Sequence, residues 1–204
     1  MVSLVLASAS PARLATLRAA GVEPSVVVSG IDESQVTGLG PADLAQRLAE
    51  LKCAAVADEV GPGPLVLGCD SVLEHDGQAF GKPGDPDEAV RRWRSMRGHT
   101  GFLHTGHCLR DTATGREATG TGSTVVHFAE VTDQEIAAYV ESGEPLQVAG
   151  AFTIDGLGGA FVTRIEGDHH NVVGLSLPVL RVLLAELGHV WTDLWTRRQT
   201  RSSV

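Results

Sequence analysis

An aspartate at the end of an apolar run is expensive to bury, and Asp70, which follows Leu65-Val66-Leu67-Gly68-Cys69, is such a residue. Its ionised carboxylate needs cations, hydrogen bonds or a metal ion, and the ends of strands are where α/β proteins place their chemistry. Asp76-Gly77 is a strong two-residue hairpin signal. Counting outward from it pairs His75 with Gln78, Glu74 with Ala79, Val72 with Gly81 and Ser71 with Lys82, which returns Lys82 beside Asp70. Alternation puts Lys82 on the face of Ser71, so a meeting with Asp70 requires a kink at Gly81 or Gly68. Taken alone, this pair reads better as a surface hairpin with an ordinary ion pair. Other charged groups must decide.

Three further segments supply them. Ser8-Ala9-Ser10-Pro11-Ala12-Arg13 leads from an apolar strand, Val2 to Ala7, into a helix ending at Gly21. Ser10 suits the N-cap and Pro11 the first helical position. First turns usually attract acids, yet this one holds Arg13 and none, so hydroxyls, free N–H groups and a guanidinium form a candidate phosphate cradle. Capping by Ser10 alone accounts for the serines equally well. Asp32-Glu33 follows a second strand, Ser25 to Ser29, and Glu33 is a candidate ligand for a divalent cation by position. Lys52 lies on a helix from Pro41 to about Glu59 with Leu44, Leu48, Leu51 and Ala55 at core spacing. That spacing places Lys52 at the edge of the buried face, able to snorkel to water or to lean over a cleft.

The elements that must position these residues follow from patterning. Asp85-Pro86-Asp87-Glu88 opens a helix that runs to Gly98. Phe102 to Leu109 and Thr121 to Phe128 read as a strand pair, Thr132 and Glu135 as a capping box, and Leu177 to Leu187 as a last helix. The glycine-rich stretch between reads as short strands and tight turns, with GLGG at 156 to 159 as one turn. The order predicts an α/β fold with an elongated mixed β-sheet flanked by helices, parallel where the early crossovers lie and antiparallel in the later hairpins, with a central cleft between two lobes. One domain is expected over residues 1–188, with 189–204 as a C-terminal extension. Trp191, Leu194 and Trp195 are expected to pack back at helical spacing, and TRRQTRSSV is expected to fray.

Composition narrows the function. The 204 residues are 43% hydrophobic, enough for a core, and carry a net charge of -9, which argues against a nucleic-acid partner. A polyanionic substrate must therefore find a local positive pocket. Arg91, Arg92, Arg94 and Arg97 are excluded from it as a solvated helix face. Nothing approaches the ~18 apolar residues of a membrane span, and MVSLVLASAS has no basic region, so a cytoplasmic location with no membrane partner is expected. Cys53, Cys69 and Cys108 form no C-x-x-C and read as reduced core residues. His104 and His107 fall on opposite strand faces and His169-His170 lack spaced partners, so no zinc site is expected.

Ser8-Ala9-Ser10-Pro11-Ala12-Arg13, Asp32-Glu33, Lys52, Asp70-Ser71-Val72 with Gly81-Lys82-Pro83, Thr105-Gly106, Ala149-Gly150, the GLGG and Val172-Val173-Gly174-Leu175 together resemble the Maf family of nucleoside triphosphate pyrophosphatases. The resemblance spans roughly Leu4 to Leu187. It implies an inosine triphosphatase-like fold and hydrolysis of a (d)NTP to (d)NMP and pyrophosphate with a divalent metal, Mg or Mn, in a house-cleaning role against non-standard nucleotides. It makes Asp70 the proton acceptor and gives Glu33 and Asp70 to the metal, with Ser8, Ser10, Arg13, Lys52 and Lys82 for the triphosphate. It also makes a homodimer an expected state.

Substrate choice in that family turns on the positions of Ala12, Ser71 and Asp155. A branch preferring dTTP and UTP tends to carry Arg, Thr and Gln there, and one acting on 7-methyl-GTP tends to carry Trp, Gln and Glu. This chain has neither set, and Ala12 lacks a side chain able to clamp a base, so a broader nucleotide range is expected. Two rivals remain: a nucleotide-binding regulator of cell division without turnover, and a phosphatase using Asp70 as nucleophile. The second lacks the aspartate two residues on that such enzymes need, since Val72 stands there.

Overall fold

The computed structural model of the chain describes residues 2–196. Its central strand, β3 (Leu65–His75), continues without interruption through Asp70, so that the carboxylate lies in the middle of a strand and not beyond its end. On one edge β3 pairs antiparallel with β5 (Thr100–Asp111), from Leu65↔Asp111 to Glu74↔Phe102. Two strands share the other edge. β1 (Leu4–Ala7) runs parallel to the first four residues as far as Ala7↔Gly68, and β4 (Gln78–Phe80) runs antiparallel to the last three, from Leu73↔Phe80 to His75↔Gln78. Cys69 to Val72 therefore have a strand partner on one side only.

The hairpin register counted from Asp76-Gly77 is the observed one, but the ladder stops at Phe80. Lys82 does not pair with Ser71. The full sheet has the order β2 (Ser25–Val26), β1, β3, β5, β6 (Glu117–Phe128), β7 (Val162–Glu166), with β4 attached to β3. The first three strands are mutually parallel and the rest antiparallel, as the crossovers and hairpins require. β2 is shorter than Ser25 to Ser29, because it lies at the outer edge with Val26 and Val28 largely exposed and little burial to hold more residues in register.

Helices α1 (Pro11–Ala19), α2 (Pro41–Val60), α3 (Pro86–Met96), α4 (Asp133–Glu141), α5 (His169–Val173) and α6 (Leu177–Glu186) cover the sheet. α2 buries Ala45, Leu48, Ala49, Lys52, Cys53, Val56 and Ala57, while Leu44 and Leu51 are only half-buried. The buried face is thus rotated from the one the leucines mark. Small residues win because glycines oppose them: a Cβ on Gly68 would lie 2.2 Å from the Ala49 carbonyl oxygen, and one on Gly106 would lie 2.4 Å from that of Ala45. The helix backbone approaches so closely that Lys52 becomes part of the buried face.

The opposite face carries two apolar clusters. One gathers Leu4, Leu6, Leu17, Leu65, Leu67, Cys69, Leu175, Leu180 and Leu183 under α1 and α6. The other surrounds Trp93 with Leu73, Leu103, Phe128, Tyr139 and Phe152 under α3 and α4, and the Trp93 indole donates to the Ala151 carbonyl at 2.7 Å. β3 contributes residues up to Cys69 to the first and from Leu73 to the second. The boundary between the lobes therefore coincides with the stretch lacking one strand partner.

The glycine-rich third is not a run of strands. It forms 3-10 turns at Glu144–Gln147, Ala149–Ala151 and Leu157–Phe161 before β7. GLGG enters the last of these, held by Glu144, whose carboxylate accepts from the N–H groups of Leu157 and Gly158 at 3.0 Å each. After α6, Trp191–Leu194 forms a 3-10 turn with Leu194 in the first apolar cluster, and the Thr196 N–H reaches the Gly21 carbonyl at 2.8 Å. The remainder of TRRQTRSSV, from Arg197, lies outside the described residues. No helix among the described residues is long and apolar enough to cross a membrane.

Candidate active site

Alternation along β3 turns Asp70 toward α2, on the face of Gly68. There Lys52 meets it: Nζ donates to Asp70 Oδ1 in a very short contact and forms an ion pair with Glu33 Oε1 at 2.7 Å. The Lys52 and Asp70 side chains are each 11% exposed, whereas Glu33 is 54% exposed and opens to solvent. Burial raises the Asp70 carboxyl above its ordinary range against the opposing pull of Lys52 and Arg13. A raised carboxylate is a stronger proton acceptor than a free one. Glu33 begins a 3-10 turn whose cap is Asp32, and Asp32 is spent on that turn, accepting from the Ser34 amide and hydroxyl. The Ser34 hydroxyl bond lowers its affinity for a proton.

Ser71 points to the other face and supports Arg13. The Arg13 guanidinium donates from Nε to the Gly174 carbonyl at 2.7 Å, from Nη1 to Ser8 Oγ at 3.0 Å and from Nη2 to Ser71 Oγ at 3.0 Å. Thr105 Oγ1 donates to the Asn171 carbonyl at 3.0 Å and lies 3.0 Å from Ser71 Oγ. Since that carbonyl can only accept, the Thr105 proton is committed, and the Ser71 hydroxyl must donate to Thr105 while accepting from Arg13. Proton order is thereby fixed from Arg13 to Asn171. Gly174 has φ of 119°, and a Cβ there would lie 3.4 Å from Arg13 Nε, so glycine both makes the bend after α5 and leaves its carbonyl to the guanidinium.

The serines proposed as a phosphate cradle have internal duties. Ser8 Oγ accepts from Arg13 Nη1 and from the Ser10 amide at 3.2 Å, and Ser10 caps α1 by accepting from the Arg13 amide at 3.4 Å. The first turn contains no acid, its Ala12 amide has no acceptor within the helix, and among the described residues one N–H on each Arg13 Nη stays uncommitted. These groups face an anion best. Because β1 ends at Ala7, α1 starts beside the open edge of β3, and cations from both faces of the sheet meet at the gap.

Other expected residues are less gathered. Lys82 is exposed just past the end of the β3–β4 ladder and makes no hydrogen bond or ion pair among the described residues. Ala12 is half-buried next to Arg13, while Asp155 is exposed in the segment fixed by Glu144, with no side-chain contact to Ala12 or Ser71 among the described hydrogen bonds. Sequence reasoning missed Asn171 as a partner of this network, and nothing in its neighbours signals it. Arg92, expected on a solvated helix face, is not solvated: its side chain is 12% exposed and bonds the Gly81 carbonyl. The spacing of Glu88 and Arg92 was the signal available. His107 is fully buried near Arg13, and burial drives it down to about 4, so it is neutral and serves as acceptor for the Ser176 amide at 2.9 Å. Cys69, beside Asp70, is pushed up to about 12 by burial and is no nucleophile at neutral pH. A hollow of about 1110 Å³ lies elsewhere, between the end of α1 and Trp195, and contains none of these groups.

The donor set also fits a hard divalent cation. Asp70 and Glu33 converge on one cationic point, the Lys52 ammonium, and Asp70 Oδ2 and Glu33 Oε2 accept no hydrogen bond among the described residues. Two carboxylates with room for water and phosphate oxygens match the preference of Mg²⁺. A second group, Cys53, Cys108 and Glu117, has ligand atoms within 4.8 Å of one another. It offers soft sulfurs, and Arg110 Nε already lies 3.3 Å from Glu117.

Fold and site thus place two carboxylates, Lys52 and Arg13 together at a fork in a mixed α/β sheet, a candidate centre for a polyanion. The Maf-like protein family model matches residues 3–187. The chain belongs to the Maf family. It is 62% identical over 194 residues to a nucleoside triphosphate pyrophosphatase of Streptomyces coelicolor, covering 94% of each chain. It is 61% identical over 198 residues to one of Salinispora tropica, covering 95% of this chain and 88% of that one. Among solved structures, a HAM1 protein from Coxiella burnetii aligns over 91% of this chain and all of its own at 18% identity and a TM-score of 0.49.

Proposed function

We propose that this chain is a nucleoside triphosphate pyrophosphatase that converts a (d)NTP and water to (d)NMP and pyrophosphate. The observation that carries the reading is the Lys52-bridged pair Asp70 and Glu33, set beside Arg13 where β3 changes partners. A triphosphate brings about four negative charges, and a chain of net charge -9 needs a local positive site to hold them. Arg13 with its uncommitted N–H groups, the α1 N-terminus and Lys82 offer one.

Asp70 takes the proton of the water that attacks the α-phosphorus, and its raised proton affinity suits that role. As the water–phosphorus bond forms, the bond to the β-phosphate bridging oxygen breaks and pyrophosphate leaves. Glu33 and Asp70 are the residues that would hold a divalent metal, Mg or Mn, which when bound would supply charge neutralisation and help to activate water. Lys52 keeps Asp70 and Glu33 in register, and Ser71 keeps Arg13 aimed. Ala12, Ser71 and Asp155 bear on base choice in this reading, with the small Ala12 side chain favouring a broad nucleotide range that includes non-standard bases. A cytoplasmic location, a homodimer and no nucleic-acid partner complete it.

The test is product analysis of the purified protein with Mg²⁺ or Mn²⁺ over a panel of normal and modified triphosphates. Pyrophosphate with monophosphate is the expected product from several of them. Orthophosphate as first product overturns the reading, and so does binding with no turnover of any triphosphate, which is what a regulator would show.

A further inference from the structure

Lys82 lies beyond the last sheet bond of its strand, so something other than the sheet must place it. The Gly81 carbonyl accepts from Arg92 Nη1 at 2.5 Å and from the Gly150 amide at 3.1 Å. Three residues on, the Gly84 amide donates to Glu88 Oε2 at 2.6 Å. Arg92 and Glu88 are joined to each other through Nη2 and Oε1 in a very short contact. The Arg92 guanidinium also sits 4.8 Å from the centroid of the Phe80 ring. One ion pair on α3 therefore grips the backbone on both sides of Lys82, with Pro83 buried between the grips. The Gly84 N–H, more than Arg92, holds the Glu88 carboxyl below its usual range, so the grip is charged at neutral pH.

We infer that Arg92 and Glu88 are positioning residues for Lys82, fixing the Gly81–Gly84 backbone so that its ammonium is presented to a bound triphosphate. An ordinary i,i+4 pair on a solvated face contributes little and has no reason to turn both members toward a neighbouring backbone. Here the Arg92 side chain is 12% exposed and both partners spend a hydrogen bond on that segment. Fixing the backbone in advance removes the ordering penalty that binding would otherwise incur. The inference rests on the triphosphate reading of the site, but its test does not require turnover.

The experiment is a double-mutant cycle read by KM and kcat, and in parallel by Kd for a non-hydrolysable triphosphate. Arg92→Ala is expected to raise KM and Kd about tenfold with kcat changed less than about twofold. In a Lys82→Ala background the same substitution should have almost no effect, because its target is gone. Arg92→Lys should rescue only in part, since an ammonium cannot bridge Gly81 and Glu88 as the planar fork does. If Arg92→Ala does not fold, Glu88→Gln carries the same cycle with a smaller change in shape. An equal loss with and without Lys82, or unchanged KM and Kd in a folded variant, overturns the inference. Absence of pyrophosphate release by the unsubstituted protein instead sinks the catalytic reading, and the Kd cycle still decides this one.

Discussion

The two sides of the gap in β3 are built on different principles. On the β1 side, Arg13 is 9% exposed and tied by three bonds to Gly174, Ser8 and Ser71, themselves braced by Thr105 and Asn171. On the β4 side, Lys82 has an exposed side chain and only its backbone is gripped. The first side is preorganised at the level of side chains, and the second at the level of the main chain. Buried groups tied by several bonds lose little freedom on binding and rearrange poorly, whereas an exposed lysine keeps its rotamers until a phosphate arrives. The rigid side should set where reaction occurs, and the other should set how firmly the polyphosphate is held.

The sharpest way to test that division is to remove the acceptor on the rigid side. Asp70→Asn should lower kcat by about 10³-fold with Tm shifted by a few degrees at most, since Asn keeps an oxygen for Lys52. The pH profile checks the same group. Protonating Asp70 removes the base, so kcat/KM should fall as pH drops, with its acid limb above the ~3.9 of a free aspartate because burial raises this carboxyl. A limb at or below the ordinary value would contradict the burial argument.

Next in size is a contrast between cations. Arg13→Ala should depress both kcat and affinity, because it also frees Ser71 and Thr105, with a combined loss in kcat/KM of about 100-fold. Lys82→Ala should act mainly on KM, by about tenfold. Equal partition of the two losses would erase the distinction between the sides. The last effect is read on stability, from Gly68→Ala, which strains the packing that buries Lys52. Its new methyl would meet the Ala49 carbonyl and push α2 outward, costing about 1–3 kcal/mol, or roughly 2–4 °C in Tm for each of these. Unchanged Tm would mean that α2 is not held by close approach, and that Lys52 is buried for another reason.

Much of this could be read without coordinates. The hairpin register from Asp76-Gly77 holds as far as Phe80, because a two-residue turn leaves only one pairing. Ser10, Asp85 and Thr132 cap the helices expected of them, since capping is settled within four residues of chain. The rotated face of α2 was not legible. The leucines there outweigh the alanines in any hydrophobic count, and only the glycines of distant strands show why the alanines go inside. Arg92 failed for a related reason, as its partner is a backbone carbonyl, which no side-chain pattern reports. Asp155 stays apart from Ser71 in the described hydrogen bonds, and Asn171 entered the network unannounced.

Local chemistry in the sequence thus determined the elements, the order of parallel and antiparallel strands, and the list of charged residues worth watching. The tertiary structure alone decided that β3 changes partners at Asp70 and Ser71, and that Lys52 and Arg13 arrive there from opposite faces. The reason is physical: capping and turns are satisfied by neighbours in the chain, while a gap in a sheet exists only where two other strands begin and end.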